Sequence, residues 1–389
     1  MSLARERAVD RTRKFAGRVA GPLFTPRHGW LFVSRRTAAT LLQRASALGG
    51  PPEGFHTTSF AAAAARVGRT VERPEPGYPV LTLPDGIVVT PWGHAGPDPR
   101  HFIEELGFVA GHQSRALTSH LEQCELATRG AIEEVAGHSA SLLQNYFTNY
   151  CHWLVQGLVR FDVLDRTGGF DRFDRILVSP GTPEIVYEAA ESYGLARDRF
   201  VELPLTPGAY RCEELTVVGL PQSPTSVPRW LVDGLRDRFG RFHTAGAASA
   251  PRRIHLTRGE ATRRRVVNNA ELTAALERRG FVSLSMDGRS LAEQAELMGS
   301  AECVVAPHGA AMANIVFMPR DALVVELRYR NWPTDMYAHL ATTAGLRYHS
   351  LFGTEPATPR WLGRPQQIDA DTVADVRALE RFLDEEGIR

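Results

Sequence analysis

Short apolar runs alternate with stretches of helical spacing through the second half of this chain. Ile176–Ser179 (ILVS), Phe200–Leu203 (FVEL) and Leu215–Val218 (LTVV) have the length and branching of strands, with a helix between the first two at Pro183–Tyr193. Residues 221–230 are turn-rich, a helix follows at Leu231–Phe239, and the small-residue stretch Thr244–Ala250 marks a domain boundary. Beyond it, strands at 253–257, 281–284, 302–306 and 323–327 alternate with helices at 269–279, 290–299 and 310–317. Strand–helix alternation of this kind predicts an α/β fold with a parallel, doubly wound sheet. The pattern is weaker before Leu142, where the first sustained α/β run opens. That part offers an alanine-rich helix near Phe60–Arg66, a strand at Ile87–Thr90 and a short helix at Phe102–Leu106. A charged amphipathic helix from Asp371 to Glu385 closes the chain and is expected to pack back across the boundary. The expected division is an irregular segment 1–75, an α/β domain 76–244 and a second α/β domain 245–389.

The segment from Cys303 to Phe317, CVVAPHGAAMANIVF, concentrates the chemistry. Its apolar run breaks at Pro307-His308-Gly309, after which Met312, Ile315 and Val316 have helical spacing. A strand, a glycine turn and a helix opening on small residues form an anion site, because first-turn N–H groups point outward and glycine removes the side chain that would bar a phosphate. His308, at the lip, can donate one more hydrogen bond. The plainer alternative is a glycine that serves chain geometry alone.

About fifty residues upstream runs RRIHLTRGEATRRRVVNNAEL, from Arg252 to Leu272. Ile254 and Leu256 alternate with polar positions as in a half-buried strand. Gly259 opens a loop crowded with Arg258, Arg263, Arg264 and Arg265, and Asn268 or Asn269 is placed to cap the next helix. Guanidinium groups so close repel one another unless an anion or carboxylates sit among them, and their planar forks suit phosphate oxygens. A solvated basic loop is the alternative. Glu326, ending the strand LVVEL, falls on the same rim as His308 and can take a ribose, or else pair with Arg328 or Arg330.

Composition narrows the classes. With 389 residues and 43% hydrophobic content the chain can bury ample core. A formal net charge of +1, with no aromatic residues interleaved among the arginines, argues against a nucleic-acid partner. Cys124, Cys151, Cys212 and Cys303 are far apart, and the thirteen histidines lack ligand spacing, so neither a disulfide framework nor a zinc cluster is expected. No apolar run is long enough to span a membrane, and the basic N-terminus lacks a signal-peptide core. A cytoplasmic location is expected, with at most a peripheral membrane contact.

The stretches APHGAAMANIVFMPRDALVVEL, HLTRGEATRRRVVNNAEL, LAEQAELMGSAECVV and NYCHWLVQGLVRF together resemble glycosyltransferase family 61 over about residues 145–350, most strongly over 252–328. The resemblance implies a GT-B-like architecture of two Rossmann-like domains with a cleft between them. It places a sugar nucleotide, a UDP-sugar favoured, on the C-terminal domain and a glycan or other hydroxyl acceptor on the N-terminal one. It also implies inversion at the anomeric carbon. Carried over by position, Arg258, Arg264 and Arg265 with His308, Gly309 and Ala310 would hold the diphosphate. Glu326 would take the ribose, Asn314 would lie on the nucleotide side, and Asn149 and Trp153 would face the acceptor. Gln156 stands where the family usually carries an acid, and Gln cannot act as a base.

Inverting transfer is a single displacement, so one group must take the acceptor hydroxyl's proton while the diphosphate leaves. His152 is the first candidate and Asp162 the second. The arginines can meet the leaving group's charge, so neither cofactor nor metal is expected. The Asp369-Ala370-Asp371 triplet has an ordinary helix-capping explanation. The other readings are a sugar-nucleotide-binding protein without transferase activity, and a sugar-nucleotide epimerase or hydrolase.

Overall fold

The structure, a computed structural model, describes residues 56–71, 78–103, 106, 124–144, 146–219, 227–239, 250–258, 261, 263–329, 335–354, 356 and 371–389. They form two compact α/β units. One comprises the described residues before 145 with 173–180 and 201–219; the other comprises 146–172, 181–200 and the described residues from 227 onward.

In chain order the strands are β1 (His56–Thr58), β2 (Val80–Val89), β3 (His94–Gly96), β4 (His101–Ile103), β5 (Ile132–Ser141), β6 (Arg175–Val178), β7 (Phe200–Glu202), β8 (Ala209–Val218), β9 (Arg253–Leu256), β10 (Val282–Leu284), β11 (Cys303–Pro307), β12 (Leu323–Tyr329) and β13 (Arg347–Gly353). The first unit holds a sheet whose order among the described residues is β3-β2-β8-β5-β6-β7. It is mixed: β2 runs antiparallel to β3 and β8, while β5 runs parallel to β8 and β6. Leu81, Leu83, Val88, Leu215 and Val217 build its core, with Ala63 and Ala64 of the alanine-rich helix Phe60–Arg66. Sheet formation therefore begins well before Leu142. The helix expected at Phe102–Leu106 is replaced by β4, which pairs in parallel with β1.

The second unit carries an all-parallel sheet, β10-β9-β11-β12-β13. Its middle strand β11 is buried at every position, which is why CVVA is an unbroken apolar run rather than an alternating one. One face packs on helices Asn269–Glu277 and Val376–Glu385 through Leu272, Leu276, Val305, Val325, Leu379 and Leu383. Asp375 caps that last helix, so the cap lies beyond the Asp369–Asp371 triplet; Asp369 is outside the described residues. Asn268 does not cap its helix either. It clasps Ala374 through both backbone groups, at 2.8 and 2.9 Å, and ties the arginine loop to the C-terminal segment.

In chain order this sheet runs 2-1-3-4-5, so the chain leaves β9 in one direction for β10 and in the other for β11. Loops leaving the carboxyl ends of strands on either side of such a reversal diverge and open a crevice. The loop after β9 contains Arg258, and the turn after β11 is His308-Gly309. No described helix is long and apolar enough to cross a membrane.

His255, on β9, is fully buried against Ser283 Oγ at 2.9 Å, and burial pushes its imidazole down to about 4. The unfolded chain therefore binds a proton that the folded chain refuses as pH falls below about 6.5. Stability is lost on acidification by on the order of 2–3 kcal/mol from this group. Urea denaturation at about pH 7.5 and about pH 4.5 should give a smaller acid loss in His255→Leu than in the parent. Equal losses in the two proteins would contradict this.

Candidate functional site

Arg258 reaches from the loop after β9 to the turn after β11, where its Nη1 donates to the His308 carbonyl at 2.9 Å. Gly309 is extended, so its backbone would suit any residue; space is what requires glycine. A Cβ there would lie 2.0 Å from Arg258 Nη1. Burial lowers the Arg258 guanidinium to about 10, and the charge of Arg264 pushes the same way. Arg264 has a left-handed backbone (φ 57), uncommon for a residue with a side chain. That kink separates it from its neighbour. The charge of Arg264 is felt at Arg258, His308, Cys151 and Tyr337, whereas Arg265 is exposed and held by Asp371. Asp371 accepts from the Arg265 backbone at 2.8 Å and from its guanidinium at 2.7 and 3.1 Å.

The helix expected after the turn is a 3-10 helix, Ala310–Phe317. By its geometry the first-turn N–H groups at 310 and 311 have no acceptor within the helix. His308 is nearly buried, its ring 4.9 Å from that of Tyr337 and its Nδ1 paired with Glu326 Oε1. Burial holds the imidazole below its ordinary value; Glu326 opposes that shift, and Arg264 and Arg328 reinforce it. Glu326 is 2% exposed, and the Tyr348 hydroxyl donates to its second oxygen. The carboxylate expected to take a ribose is thus engaged on both oxygens and orients His308. Its alternative partner Arg328 pairs instead with Asp335 at 2.8 Å, and Arg330 lies outside the described residues.

Residues 149–157 belong to this same unit. Asn149 accepts from the His152 N–H at 3.3 Å and caps the short helix Tyr150–His152, a local task rather than an open acceptor contact. A π-helical turn, Trp153–Gly157, continues it. Trp153 is fully buried with its indole N–H on the Phe147 carbonyl, and a Cβ at Gly157 would meet its ring at 2.1 Å. The expected acceptor-facing tryptophan is a core residue. Tyr150 donates to Asn314 Oδ1, and Asn314 Nδ2 donates to Gln294 Oε1 at 2.7 Å. Asn314 is fully buried, so its carboxamide serves this chain of bonds and not a nucleotide.

Tyr337 joins the two motifs. Its hydroxyl donates to the Gly309 carbonyl at 2.6 Å and is hydrogen-bonded to the Cys151 thiol, next to His152. Asp162, the second candidate base, is not drawn into this cluster. It accepts from the Tyr193 hydroxyl and lines a polar hollow with Asp165, Arg166, Gly234, Asp237 and Arg238, none from the loops after β9 or β11. Burial raises its carboxyl, with Tyr193 and Arg238 opposing. Sequence reasoning missed Tyr337, Tyr348 and Gln294, which are ordinary residues in ordinary helix and strand patterns. Tyr150 and Gln294 stood inside the motifs of the resemblance, without a role attached to either. Among the described residues no group of three or more His, Cys, Asp or Glu is placed to hold a metal.

Arg258 and the His308-Gly309 turn thus meet at the reversal point of a parallel sheet in an α/β protein. Residues 150–325 match the family model described as Glycosyltransferase 61, so this part of the chain is similar to that family. The chain is also similar to the beta-1,2-xylosyltransferase XAX1 of Oryza sativa subsp. japonica, at 28% identity over 229 residues. That match covers 57% of this chain and 38% of the relative.

Tyr150→Phe leaves the buried Asn314 oxygen short of a donor. It should lower stability by about 1–3 kcal/mol in urea denaturation. A change within error would remove this bond from the account.

Proposed function

We propose that this protein is an inverting glycosyltransferase of GT-B type that moves a sugar from a nucleoside-diphosphate sugar, a UDP-sugar first among them, to a hydroxyl of a glycan or related acceptor. The observation that carries the reading is the convergence of Arg258 and Arg264 on the His308-Gly309 turn. The charge of Arg264 adds to that of the largely buried Arg258, and the positive potential so produced at the turn favours an anion there. A diphosphate is such an anion, and the first-turn N–H of Ala310 supplies a donor without side-chain bulk. The rice relative is named for xylosyl transfer, so UDP-xylose is the first donor to assay.

In the proposed reaction the acceptor oxygen attacks the anomeric carbon as its bond to the diphosphate oxygen breaks. The bonding pair leaves with the diphosphate, whose added charge meets Arg258 and Arg264. The acceptor's proton passes to His152. His308 can donate to a phosphate oxygen once the arriving anion and Glu326 together offset the burial that disfavours its protonated form. Arg265 has no part in this scheme because Asp371 holds it, and the same pairing favours chemistry without a metal at Asp371. A sugar-nucleotide-binding protein without transfer is favoured by one feature, Gln156 where the family usually carries an acid.

Arg258→Met should weaken UDP binding by about 1.5–3 kcal/mol, roughly ten- to over a hundredfold, measured by calorimetry in EDTA. An unchanged dissociation constant would exclude Arg258 from the site. His152→Ala should lower transfer from UDP-xylose by about 10²-fold or more while UDP affinity stays within a factor of two. Near-full transfer in that variant would refute its role as base.

A further inference from the structure

His152 ends its short helix, and Gln156 lies one turn further on, inside the π-helical turn. The His152 Nδ1 and Gln156 Oε1 are 2.6 Å apart. An amide oxygen has no proton to give, so Nδ1 is the nitrogen that carries one. In a neutral imidazole the lone pair then resides on Nε2. We propose that Gln156 is a positioning residue that fixes His152 as the Nδ1–H tautomer and presents Nε2 as the proton acceptor. This rests on the reading of His152 as the base.

Two further observations carry the assignment. Gln156 is only 8% exposed in a turn where every residue is buried, and its Nε2 finds no hydrogen-bond partner among the described residues. An unsatisfied buried amide N–H is destabilising, so an apolar side chain of similar size would serve packing better. Among the described residues the carboxamide is bonded to His152. Tyr146 supplies the other constraint. Its ring stacks on the imidazole at 4.6 Å and 14°, from a left-handed backbone (φ 61) secured by Asn149 N–H donating to the Tyr146 carbonyl at 2.8 Å. Strained backbone of that kind persists where the surroundings hold it. Tyr146 fixes the plane of the ring, and Gln156 fixes its rotation within that plane. A group held this way needs little reorganisation to receive a proton.

Gln156 is neutral, so it orients His152 without adding a negative charge beside it. Glutamate would keep an acceptor for Nδ1–H, whereas leucine removes it. The test is two-bond proton–nitrogen correlation on imidazole-labelled full-length protein, with the His152 signals identified by their loss in His152→Ala. The expected result is an Nδ1–H tautomer for His152 in the parent and in Gln156→Glu, and its loss in Gln156→Leu. UDP release from UDP-xylose in the presence of acceptor should fall tenfold or more in kcat for Gln156→Leu, with donor KM within twofold. An Nε2–H tautomer in the parent, or one unchanged in Gln156→Leu, overturns the proposal. The spectra need no substrate, so they separate the two claims. An Nδ1–H form that Gln156→Leu abolishes, together with full transfer by His152→Ala, would refute the base reading and the catalytic purpose assigned to Gln156.

Discussion

The repulsion between Arg258 and Arg264 is the constraint on which the rest of the site depends. Arg258 is bonded to the His308 turn, and the charge of Arg264 is felt at both Arg258 and His308. Arg258 is kept by its bond to the His308 carbonyl and by the space that Gly309 leaves, Arg264 by a left-handed backbone that parts it from Arg265. Arg265, one residue away, shows the ordinary solution: it is exposed and paired with Asp371. The chain thus pairs Arg265 with a carboxylate and sets Arg258 against the His308 turn, within reach of the charge of Arg264.

Holding such a cluster takes rigid surroundings, and these are polar as well as apolar. Tyr337 links the Gly309 carbonyl to Cys151, while Tyr150, Asn314 and Gln294 form a buried line of bonds that ends on the Arg289 carbonyl. Both lines connect residues 150–152 to the turn or to the helix behind it. A buried network stabilises only when its members are satisfied, so each partner fixes the others. Glu326 is part of the same logic, orienting the nearly buried His308 and itself receiving Tyr348.

The local features of this design were legible in the sequence, and the long-range ones were not. The apolar run at Cys303–Ala306, the glycine turn and the strand–helix alternation beyond residue 250 follow from period and composition, because each is decided within a few residues. β5 escaped notice because two adjacent glutamates and a glycine break the alternation of its partly exposed first half, IEEVAG, and β13 because Tyr348, His349 and Ser350 interrupt its pattern. The Arg258 loop and the His308 turn were each singled out in the sequence as candidate anion sites. That they meet is a consequence of β9 lying beside β11, which strand order decides and sequence does not state. The roles expected of Glu326, Asn314 and Trp153 changed for one shared reason: a motif names residue types, and only burial separates a ligand contact from a support.

The most direct measurement is a crystal structure of the full chain soaked with UDP in EDTA. The account predicts a diphosphate within hydrogen-bond reach of the Arg258 and Arg264 guanidinium groups and of the Ala310 N–H. A diphosphate bound elsewhere, with these three groups unengaged, would contradict it.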